Sequence, residues 1–252
     1  MKPNLNYEKL SFFYDLLMQG IDYEAWVSYV EEIIERFRGE VGSVVDLACG
    51  TGSSALPWAR RGYRTFGVDL SAEMLALARQ KAAQEGCQIT FLQQDLSFLR
   101  LPEAVDLAVC FQDGFNYILE LPNLRRAFQA VFRNLNNGGL FVFDLNYLPQ
   151  ILSESEGSSA AWGEGYSFSW RTRYLKEERI WEIVVSGEVK RNGEHIECFS
   201  ETHRERIHEP QEVWSLLCDS GFVVQGNYQA FTFNPPHEGT LRVVYIAQKV
   251  KI

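Results

Sequence analysis

The chain lacks three features that would assign it quickly to a class of protein. Basic residues are not in excess, because 33 aspartates and glutamates outnumber 24 lysines and arginines and give a net charge of −9. Proteins that bind the nucleic-acid backbone usually carry a basic face, so we expect no nucleic-acid partner. There is no apolar run of about 18 residues to span a membrane, and no apolar signal-peptide segment at the N-terminus. We therefore expect a cytoplasmic protein with no membrane partner.

Paired cysteines are missing as well. The cysteines number five, form no C-x-x-C motif, and stand at Cys49, Cys87, Cys110, Cys198 and Cys218. An odd number of unpaired cysteines, three of them within apolar runs, is typical of buried, reduced thiols in a cytoplasmic protein. We predict neither disulfides nor a metal site.

The sequence does contain strand-like and helix-like segments in alternation. Its 252 residues and 46% hydrophobic content suit one large or two small globular domains. Apolar residues at helical spacing predict two helices, over 7–19 and 22–37, and Asp22 can cap the second. Strand patterns follow at 44–46, 63–68, 89–92, 106–111, 140–145, 222–225 and 241–248. A short connection makes the last strand antiparallel, so we predict an α/β fold with a seven-stranded, mostly parallel sheet.

The pattern changes after the fifth strand. Residues 152–161 are rich in Ser, Glu and Gly and predict a mobile loop. Apolar and polar residues then alternate over 166–207, where Asn192-Gly193 is typical of a two-residue hairpin turn. We predict a small three-stranded antiparallel insertion, with a core domain over 1–150 and 208–252 and the insertion over 160–207. The insertion is a candidate substrate cover or dimer contact, and the chain is expected to be a monomer or a homodimer.

The segment from Val44 to Gly52 organises the chain. An apolar strand ends with the carboxylate of Asp46, and Gly50 and Gly52 follow at a spacing that permits a tight turn. Without a Cβ, these glycines let a ligand approach the backbone. The run 53–61 predicts a helix whose N-terminus points at the turn and attracts an anion. These features predict a site for the anionic group of a nucleotide-type cofactor, with an ordinary strand-to-helix turn as the alternative.

Further polar residues follow the later strands. Asp69 ends the second strand, 17 residues after Gly52. In a parallel βαβ unit this position lies beside the first turn, where a carboxylate can bind both hydroxyls of a ribose. Ser71 is the expected cap of the next helix, which leaves Asp69 available. Residues 112–117 follow the fourth strand, and since carboxyl ends of strands line the ligand crevice, we expect active-site residues there.

Together these segments resemble the class I S-adenosylmethionine (SAM) methyltransferases over nearly the whole chain. The matching residues are Asp46-Leu47-Ala48-Cys49-Gly50-Thr51-Gly52, Gly67-Val68-Asp69-Leu70-Ser71, Met74-Leu75, Asp95-Leu96 and Asn137-Gly138-Gly139. Ala48 stands where the family usually has the first glycine of its motif. The resemblance implies a Rossmann-like fold, SAM as cofactor, and methyl transfer to an O, N or S atom of a small-molecule acceptor. The insertion resembles that of a subgroup that includes amino-sugar N-methyltransferases.

The resemblance also implies which residues bind the cofactor. They are Tyr14, Asp46, Ala48, Gly50, Gly52, Asp69, Leu70, Asp95, Leu96 and Gln112. Asp46 would hold the loop and the methionine ammonium, Asp69 the ribose hydroxyls, and Asp95 the adenine amino group. Gln112 would touch the methionine end. Tyr14 is a candidate lid over the cofactor, with simple core packing as the alternative.

Methyl transfer from a sulfonium needs orientation and exclusion of water more than covalent help. An oxygen or ammonium nucleophile must also lose a proton to a base. The candidates for catalysis are Asp113, Tyr117 and His203, while His208 and His237 are further candidate bases. Each histidine is more often structural than catalytic.

Two other functions stay open from the sequence. A non-catalytic SAM-binding or regulatory protein would carry the same loop, because a fold does not guarantee chemistry. An NAD-dependent oxidoreductase would match the pattern G-x-G-x-x-A at 50–55. The second acidic site at Asp95 and the helical N-terminus both count against the oxidoreductase.

Overall fold

The computed structural model describes residues 10–147, 156–163, 165–191 and 195–250. Within these ranges it contains six α-helices and eleven β-strands. The helices are α1 (Ser11–Leu17), α2 (Tyr23–Phe37), α3 (Leu56–Arg60), α4 (Ala72–Gln84), α5 (Leu121–Asn134) and α6 (Pro210–Asp219). The strands are β1 (Ser43–Leu47), β2 (Arg64–Asp69), β3 (Ile89–Gln93), β4 (Val105–Cys110), β5 (Leu135–Asn146), β6 (Glu156–Gly163), β7 (Tyr166–Leu175), β8 (Ile180–Arg191), β9 (His195–Arg206), β10 (Val223–Gln229) and β11 (Arg242–Gln248).

The described part of the chain forms a seven-stranded sheet in the order β10-β11-β5-β4-β1-β2-β3. The strands from β5 to β3 run parallel, whereas β11 is antiparallel to both β5 and β10. The predicted mostly parallel sheet with an antiparallel last strand is therefore confirmed. The chain lays down β1, β2 and β3 toward one edge and then returns to place β4 on the other side of β1. In open α/β sheets such a switch point marks the ligand crevice.

Helices cover both faces of this sheet. Successive side chains of a strand point to opposite faces, so Val44 packs with α2 while Val45 packs with α5 and α6. The amphipathic helix α2 buries Trp26 and Ile33 there, and its N-terminus is capped by Asp22, as expected. Burial on both faces explains why the strands are almost continuously apolar.

A second sheet of four antiparallel strands, β6-β7-β8-β9, stands between β5 and α6 in the chain. The prediction of three strands was wrong, since 156–163 form a fourth strand where a loop was expected. Every residue from Glu156 to Gly163 pairs with β7, and this pairing outweighs the weak strand preference of Gly and Ser. The other predicted loop residues, 152–155, and the turn at Asn192-Gly193 lie outside the described residues.

Helix α1 packs on the second sheet rather than on the first. Its Phe13 ring stacks on Phe199 with centroids 5.3 Å apart, and Leu10 packs with the buried Phe168. Tyr166 and Trp170, two aromatic residues of the insertion, border the same cluster. The predicted helix was longer than α1, although residues 7–9 lie outside the described part.

Two local predictions need correction. The helix expected over 53–61 begins only at Leu56, because 51–55 form successive turns and Pro57 suits the first helical turn. The cysteines are all free, but only Cys49 and Cys110 are buried, whereas Cys198 and Cys218 are exposed. No helix among the described residues is long and apolar enough to cross a membrane.

Candidate active site

A cavity of about 430 Å³ lies at the carboxyl ends of β1, β2, β3 and β4. This volume is within the range of about 300–1,000 Å³ typical of small-ligand sites. Its lining includes all the predicted cofactor-binding residues except Asp46 and Gly52, namely Tyr14, Ala48, Gly50, Asp69, Leu70, Asp95, Leu96 and Gln112. The switch point of the sheet therefore brings together residues from α1, from the glycine loop and from three strand ends.

Asp69 is fixed between the glycine loop and α4. One carboxylate oxygen accepts the backbone N–H of Gly50 at 2.8 Å, and the other accepts that of Ser71 at 2.9 Å. The hydroxyl of Ser71 in turn accepts the N–H of Met74, so Ser71 caps α4 as predicted. Burial raises the pKa of Asp69, and hydrogen bonds from the backbone N–H groups of Ser71, Gly50 and Leu70 oppose that rise. A carboxylate has about four acceptor positions, so Asp69 can also accept bonds from hydroxyl groups in the cavity.

Asp95 occupies the end of the cavity next to β3. Its carboxylate accepts the N–H of Ser97 at 2.8 Å and begins a short 3-10 turn over Leu96–Phe98. The apolar side chains of Leu96 and Ile118 line the same region. A carboxylate between apolar walls suits a flat ring that carries an amino group.

Asp46 lies beneath the glycine loop and is only 1% exposed. One of its oxygens accepts the hydroxyl of Ser54 at 2.5 Å, and the other has no hydrogen-bond partner among the described residues. Burial, aided by the charge of Asp69, raises the pKa of Asp46 to about 7, although the Ser54 bond opposes the rise. Asp46 thus braces the loop from below.

Gly52 also stays outside the cavity lining. Its φ is +79°, and a Cβ at this position would lie 3.0 Å from the Cβ of Ala78. The residue therefore permits close packing of the loop on α4. Ala48 and Gly50, each with a φ of +53°, are the residues of this loop that line the cavity.

A smaller hollow adjoins the cavity and shares Tyr14, Ala48, Phe111 and Gln112 with it. Tyr23 of α2 lines this hollow. Burial first, and then the charges of three acids, Asp46, Asp15 and Asp113, raise the pKa of Tyr23. The surroundings of the hollow are therefore electronegative. No pattern in the sequence pointed to Tyr23, which reads only as the first residue of an amphipathic helix.

Polar contacts hold α1 against the glycine loop. The Asp15 carboxylate accepts the hydroxyl of Thr51 at 2.6 Å and pairs with Lys81 of α4 at 2.5 Å. The neighbouring Tyr14 borders the loop, since a Cβ on Gly50 would lie 3.7 Å from the Tyr14 ring. The position of Tyr14 in the cavity wall supports its role as a cover, which stays a prediction.

The segment after β4 has two successive residues in the left-handed region, Gln112 at φ +58° and Asp113 at φ +56°. Such backbone is costly for residues other than glycine and persists only where the surroundings hold it. Arg242 of β11 holds it here, because its guanidinium pairs with Asp113 at 2.7 Å and with the fully buried Asp144. The Asp113 N–H also donates to Asp144 at 3.1 Å. Asp113 is thus engaged in an ion pair and is not among the described residues that line the cavity.

Tyr117 lines the cavity and contacts His203. Of the three predicted catalytic residues, these two therefore lie together at the cavity, whereas Asp113 does not line it. The Tyr117 hydroxyl lies 3.3 Å from Nδ1 of His203, which is buried on β9. Burial lowers the pKa of His203, and the charge of Glu201 opposes this effect. The imidazole is therefore neutral near pH 7 and able to accept a proton.

Glu205 belongs to the same group of side chains, although it was not among the residues predicted from the sequence. Its buried carboxyl group accepts the side-chain N–H of Asn146 at 2.8 Å and hydrogen-bonds the Tyr117 hydroxyl. Burial raises the pKa of Glu205 well above its usual range. A signal was present, because Glu201, His203 and Glu205 alternate along β9 and so share one face of the strand.

The remaining candidate histidines lie elsewhere. Burial, followed by the charge of Arg206, lowers the pKa of His208 to about 4. His237 accepts the N–H of Gly239 at 3.0 Å within a loop. Neither belongs to the cavity lining of the described chain.

The fold and the cavity define a Rossmann-like protein with a nucleoside-sized site across its strand ends. Residues 44–139 match a family described as a methyltransferase domain. A relative named as a methyltransferase in Geobacillus sp. (strain WCH70) is 30% identical over 249 residues, which are 97% of this chain and 100% of the relative.

Two solved structures of methyltransferases are also similar to this chain. A SAM-dependent methyltransferase from Clostridium acetobutylicum ATCC 824 superposes with a TM-score of 0.86 at 27% identity, over 97% of this chain and 99% of that one. SAM-bound CalS10, an amino pentose methyltransferase from Micromonospora echinaspora, shares the fold with a TM-score of 0.76 at 18% identity, over 95% and 96% of the two chains.

The chain belongs to the SAM-dependent methyltransferase family. It is an enzyme with SAM as its cofactor, so the oxidoreductase and the non-catalytic alternatives fall away.

Proposed function

We propose that this enzyme transfers the methyl group of SAM to an O, N or S atom of a small-molecule acceptor, with Tyr117 and His203 removing the acceptor's proton. The observation that carries the proposal is the placement of Tyr117, which lines the cofactor cavity and reaches the buried His203 at 3.3 Å. A residue pair of this kind connects a cavity to a proton acceptor that is shielded from water.

The residues of the cavity fit SAM. Asp69 would hold the ribose hydroxyls, and Asp95 with Leu96 would hold the adenine ring. The smaller hollow beside Gln112, with its electronegative surroundings, would take the methionine ammonium. In this arrangement the negative charge of Asp46 attracts the methionine ammonium without touching it. The hydrogen bond that Asp46 accepts from Ser54 fixes the glycine loop.

When bound, SAM supplies a methyl group that its sulfonium makes electrophilic. The acceptor atom, as it bonds to that methyl group, gives its proton to the Tyr117 oxygen, and the Tyr117 proton moves to Nδ1 of His203. The Tyr117 hydroxyl also hydrogen-bonds Glu205, a bond that lowers the pKa of that carboxyl and opposes the larger effect of burial. The positive charge that the sulfonium loses therefore reappears on the His203 imidazolium, together with the proton that the acceptor gave up.

A small acceptor is the substrate class that the surroundings favour. Helix α1 contributes Tyr14 to the cavity wall, and strand β9 approaches the cavity through the His203–Tyr117 contact. The second sheet, to which β9 belongs, would cover the acceptor and exclude water. CalS10 is named for an amino pentose, so amines belong in any panel of test acceptors.

Calorimetry with S-adenosylhomocysteine, followed by a transfer assay with methyl-labelled SAM, tests the proposal. The acceptor panel contains amino sugars, other amines, alcohols and thiols. With an acceptor in hand, we expect Tyr117→Phe and His203→Gln each to lower kcat by roughly 100-fold or more, the contribution of a positioned base. Both variants should bind S-adenosylhomocysteine within about twofold of the wild type.

His237→Gln is the matched control and should leave kcat unchanged, since His237 lies in a loop outside the cavity lining. Absence of heat with S-adenosylhomocysteine would overturn the cofactor placement. Full activity of both Tyr117→Phe and His203→Gln would overturn the assignment of the base.

A further inference from the structure

The carboxylate of Glu201, on strand β9 of the second sheet, contacts both helix α1 and His203. The backbone N–H of Leu10, at the start of α1, donates to Oε1 of Glu201 at 2.9 Å. The other oxygen of Glu201, Oε2, lies 3.8 Å from Nε2 of His203. The opposite ring nitrogen of His203 is the one that faces Tyr117.

We propose that Glu201 is a positioning residue for methyl transfer, which fixes His203 as a proton acceptor and does so fully only while α1 is docked. This inference rests on the proposed role of His203 and Tyr117. It adds Glu201, which does not line the cavity, and a coupling between the docking of α1 and the proton acceptor His203.

The first part of the argument concerns the ring of His203. A carboxylate beside Nε2 favours the neutral form that carries its proton on Nε2, which leaves Nδ1 as the acceptor for the Tyr117 hydroxyl. The same carboxylate stabilises the imidazolium that forms when the proton arrives. At 3.8 Å the contact is longer than a hydrogen bond, so Glu201 acts on the ring through its charge.

Three titratable groups of the described chain bear on His203. Glu201 approaches from the same strand, Tyr117 approaches from the segment after β4, and Glu205 acts through its hydrogen bond to Tyr117. Burial lowers the pKa of His203, and Glu201 is the group whose charge raises it. Removal of that charge should therefore lower the pKa of His203 further.

The second part concerns α1. The helix touches both sides of the site, since Asp15 binds Thr51 and Lys81 on the cofactor side and Leu10 binds Glu201 on the other. Docking of α1 places Tyr14 in the cavity wall and, in the same movement, fixes the Glu201 carboxylate. Release of α1 removes the Leu10 hydrogen bond and lets that carboxylate turn away from His203.

Glu201→Gln tests the first part, because glutamine keeps an oxygen for the Leu10 N–H and loses the charge. We expect the pKa of His203, followed by NMR of the ligand-free protein, to fall by about one pH unit. The chain has only four histidines, so the His203→Gln variant identifies the signal. We expect kcat to fall about 10- to 100-fold, a part of what a positioned base supplies. The KM for SAM should stay within twofold, and the acidic limb of the kcat profile should move to lower pH.

Two variants sharpen this test. Glu201→Asp keeps the charge and should retain a His203 pKa closer to that of the wild type than Glu201→Gln does. Glu182→Gln is the matched control, because Glu182 is a carboxylate of the neighbouring strand β8 that pairs with the exposed Arg204 at 2.9 Å. It should change neither the pKa of His203 nor kcat. An unchanged His203 pKa and kcat in Glu201→Gln would overturn the positioning role.

Leu10→Pro against Leu10→Ala tests the coupling. Both variants lose the buried leucine side chain, but only proline loses the N–H that binds Glu201. The φ of −63° at Leu10 is one that proline adopts. We expect kcat of Leu10→Pro to be about 5- to 10-fold below that of Leu10→Ala, with equal affinity for S-adenosylhomocysteine by calorimetry. Equal kcat values would overturn the coupling, whereas activity that survives loss of Tyr117 and His203 would overturn the proposed base instead.

Discussion

The two sides of the cavity are built in different ways. On the cofactor side, the loop, Asp69 and Asp95 come from residues 46–97, and many of their bonds join neighbours in the chain, such as Asp69 to Ser71 and Asp95 to Ser97. We call the group around Tyr117 and His203, where we propose that the acceptor binds, the acceptor side; its contacts join positions far apart, such as Leu10 to Glu201 and Asp113 to Arg242. The first side depends on local turns, and the second depends on the assembled tertiary structure.

The two sides also differ in the partners that stabilise their carboxylates. Asp69 receives backbone N–H groups that the loop and helix supply at little cost. The acceptor side buries the carboxyl groups of Asp144 and Glu205, and it pairs Asp144 and Asp113 with the partly buried Arg242. Buried charges are costly unless each keeps its partner, so the acceptor side should respond more strongly to single substitutions.

The largest effect is expected at Arg242, whose loss would leave the buried Asp144 and the partly buried Asp113 without their ion-pair partner. We expect Arg242→Met to lower the free energy of unfolding by about 3–5 kcal/mol in urea titrations. Arg64→Met is the control, since Arg64 makes an exposed pair with Glu103 and should change stability by less than about 1 kcal/mol.

If Arg242→Met does not fold, the double variant Asp144→Asn/Arg242→Met should recover part of the stability, because it removes one of the two carboxylate charges that have lost their ion-pair partner. A loss no larger than that of Arg64→Met would show that the acceptor side does not depend on this ion pair, and the contrast between the two sides would fail.

The next effect is expected at Asp69 on the cofactor side. Asp69→Ala should weaken S-adenosylhomocysteine binding by about 1–3 kcal/mol, because the ribose hydroxyls would lose their acceptor. Calorimetry measures this change, with Asp219→Ala as an exposed control. Because Asp69 also braces Gly50 and Ser71, Asp69→Asn serves as a second variant that preserves the shape. Unchanged affinity in both Asp69 variants would reject the placement of the ribose.

A smaller effect, about 1 kcal/mol, is expected from the pH dependence of Asp46. Its pKa is about 7 in the folded protein against 3.8 as the ordinary value, so the folded state binds more protons between these values. Stability from this group is therefore present at low pH and is lost as the pH rises through 7. Between pH 6 and pH 8 the loss should be about 1 kcal/mol in the wild type relative to Asp46→Asn.

Urea unfolding at the two pH values measures this difference, and the comparison with the variant cancels the titration of His203 and His208. Asp219→Asn should show the wild-type dependence, since Asp219 is about half exposed. Identical pH dependence of the wild type and Asp46→Asn would show that Asp46 stays ionised beneath the loop.

The smallest effect is expected at Ala48, which holds a φ of +53°. A left-handed conformation costs an L-residue about 1–2 kcal/mol, part of which glycine's greater chain entropy offsets. We expect Ala48→Gly to stabilise the protein by up to about 1 kcal/mol. Gly50→Ala, at the same φ and with an ordinary 3.7 Å contact to Tyr14, should destabilise it by a similar amount. Thermal unfolding compares the pair, and a destabilising Ala48→Gly would contradict the strain at this position.

Much of the fold could be predicted from the sequence because its signals are local. Alternating strands and helices, the caps at Asp22 and Ser71 and the antiparallel last strand all came from short patterns. The strand at 156–163 was missed because its Ser and Gly residues have little intrinsic preference for a strand and form one only by pairing with β7. The late start of α3 was missed because residues 51–55 form turns that carry no distinct sequence signal, although Gly52 among them lies close to Ala78 of α4.

The sequence alone predicted the glycine loop and the carboxylates Asp69 and Asp95 that line the cavity, since a glycine turn and a strand end are marked within a few residues of chain. The tertiary structure alone decided the acceptor side. It committed Asp113 to Arg242, brought Tyr117 to His203, and set Glu201 and Glu205 on either side of that pair. The physical reason is that a buried charge or hydrogen bond takes its strength from a partner's position in space, and here the partners lie up to 191 residues apart in the chain.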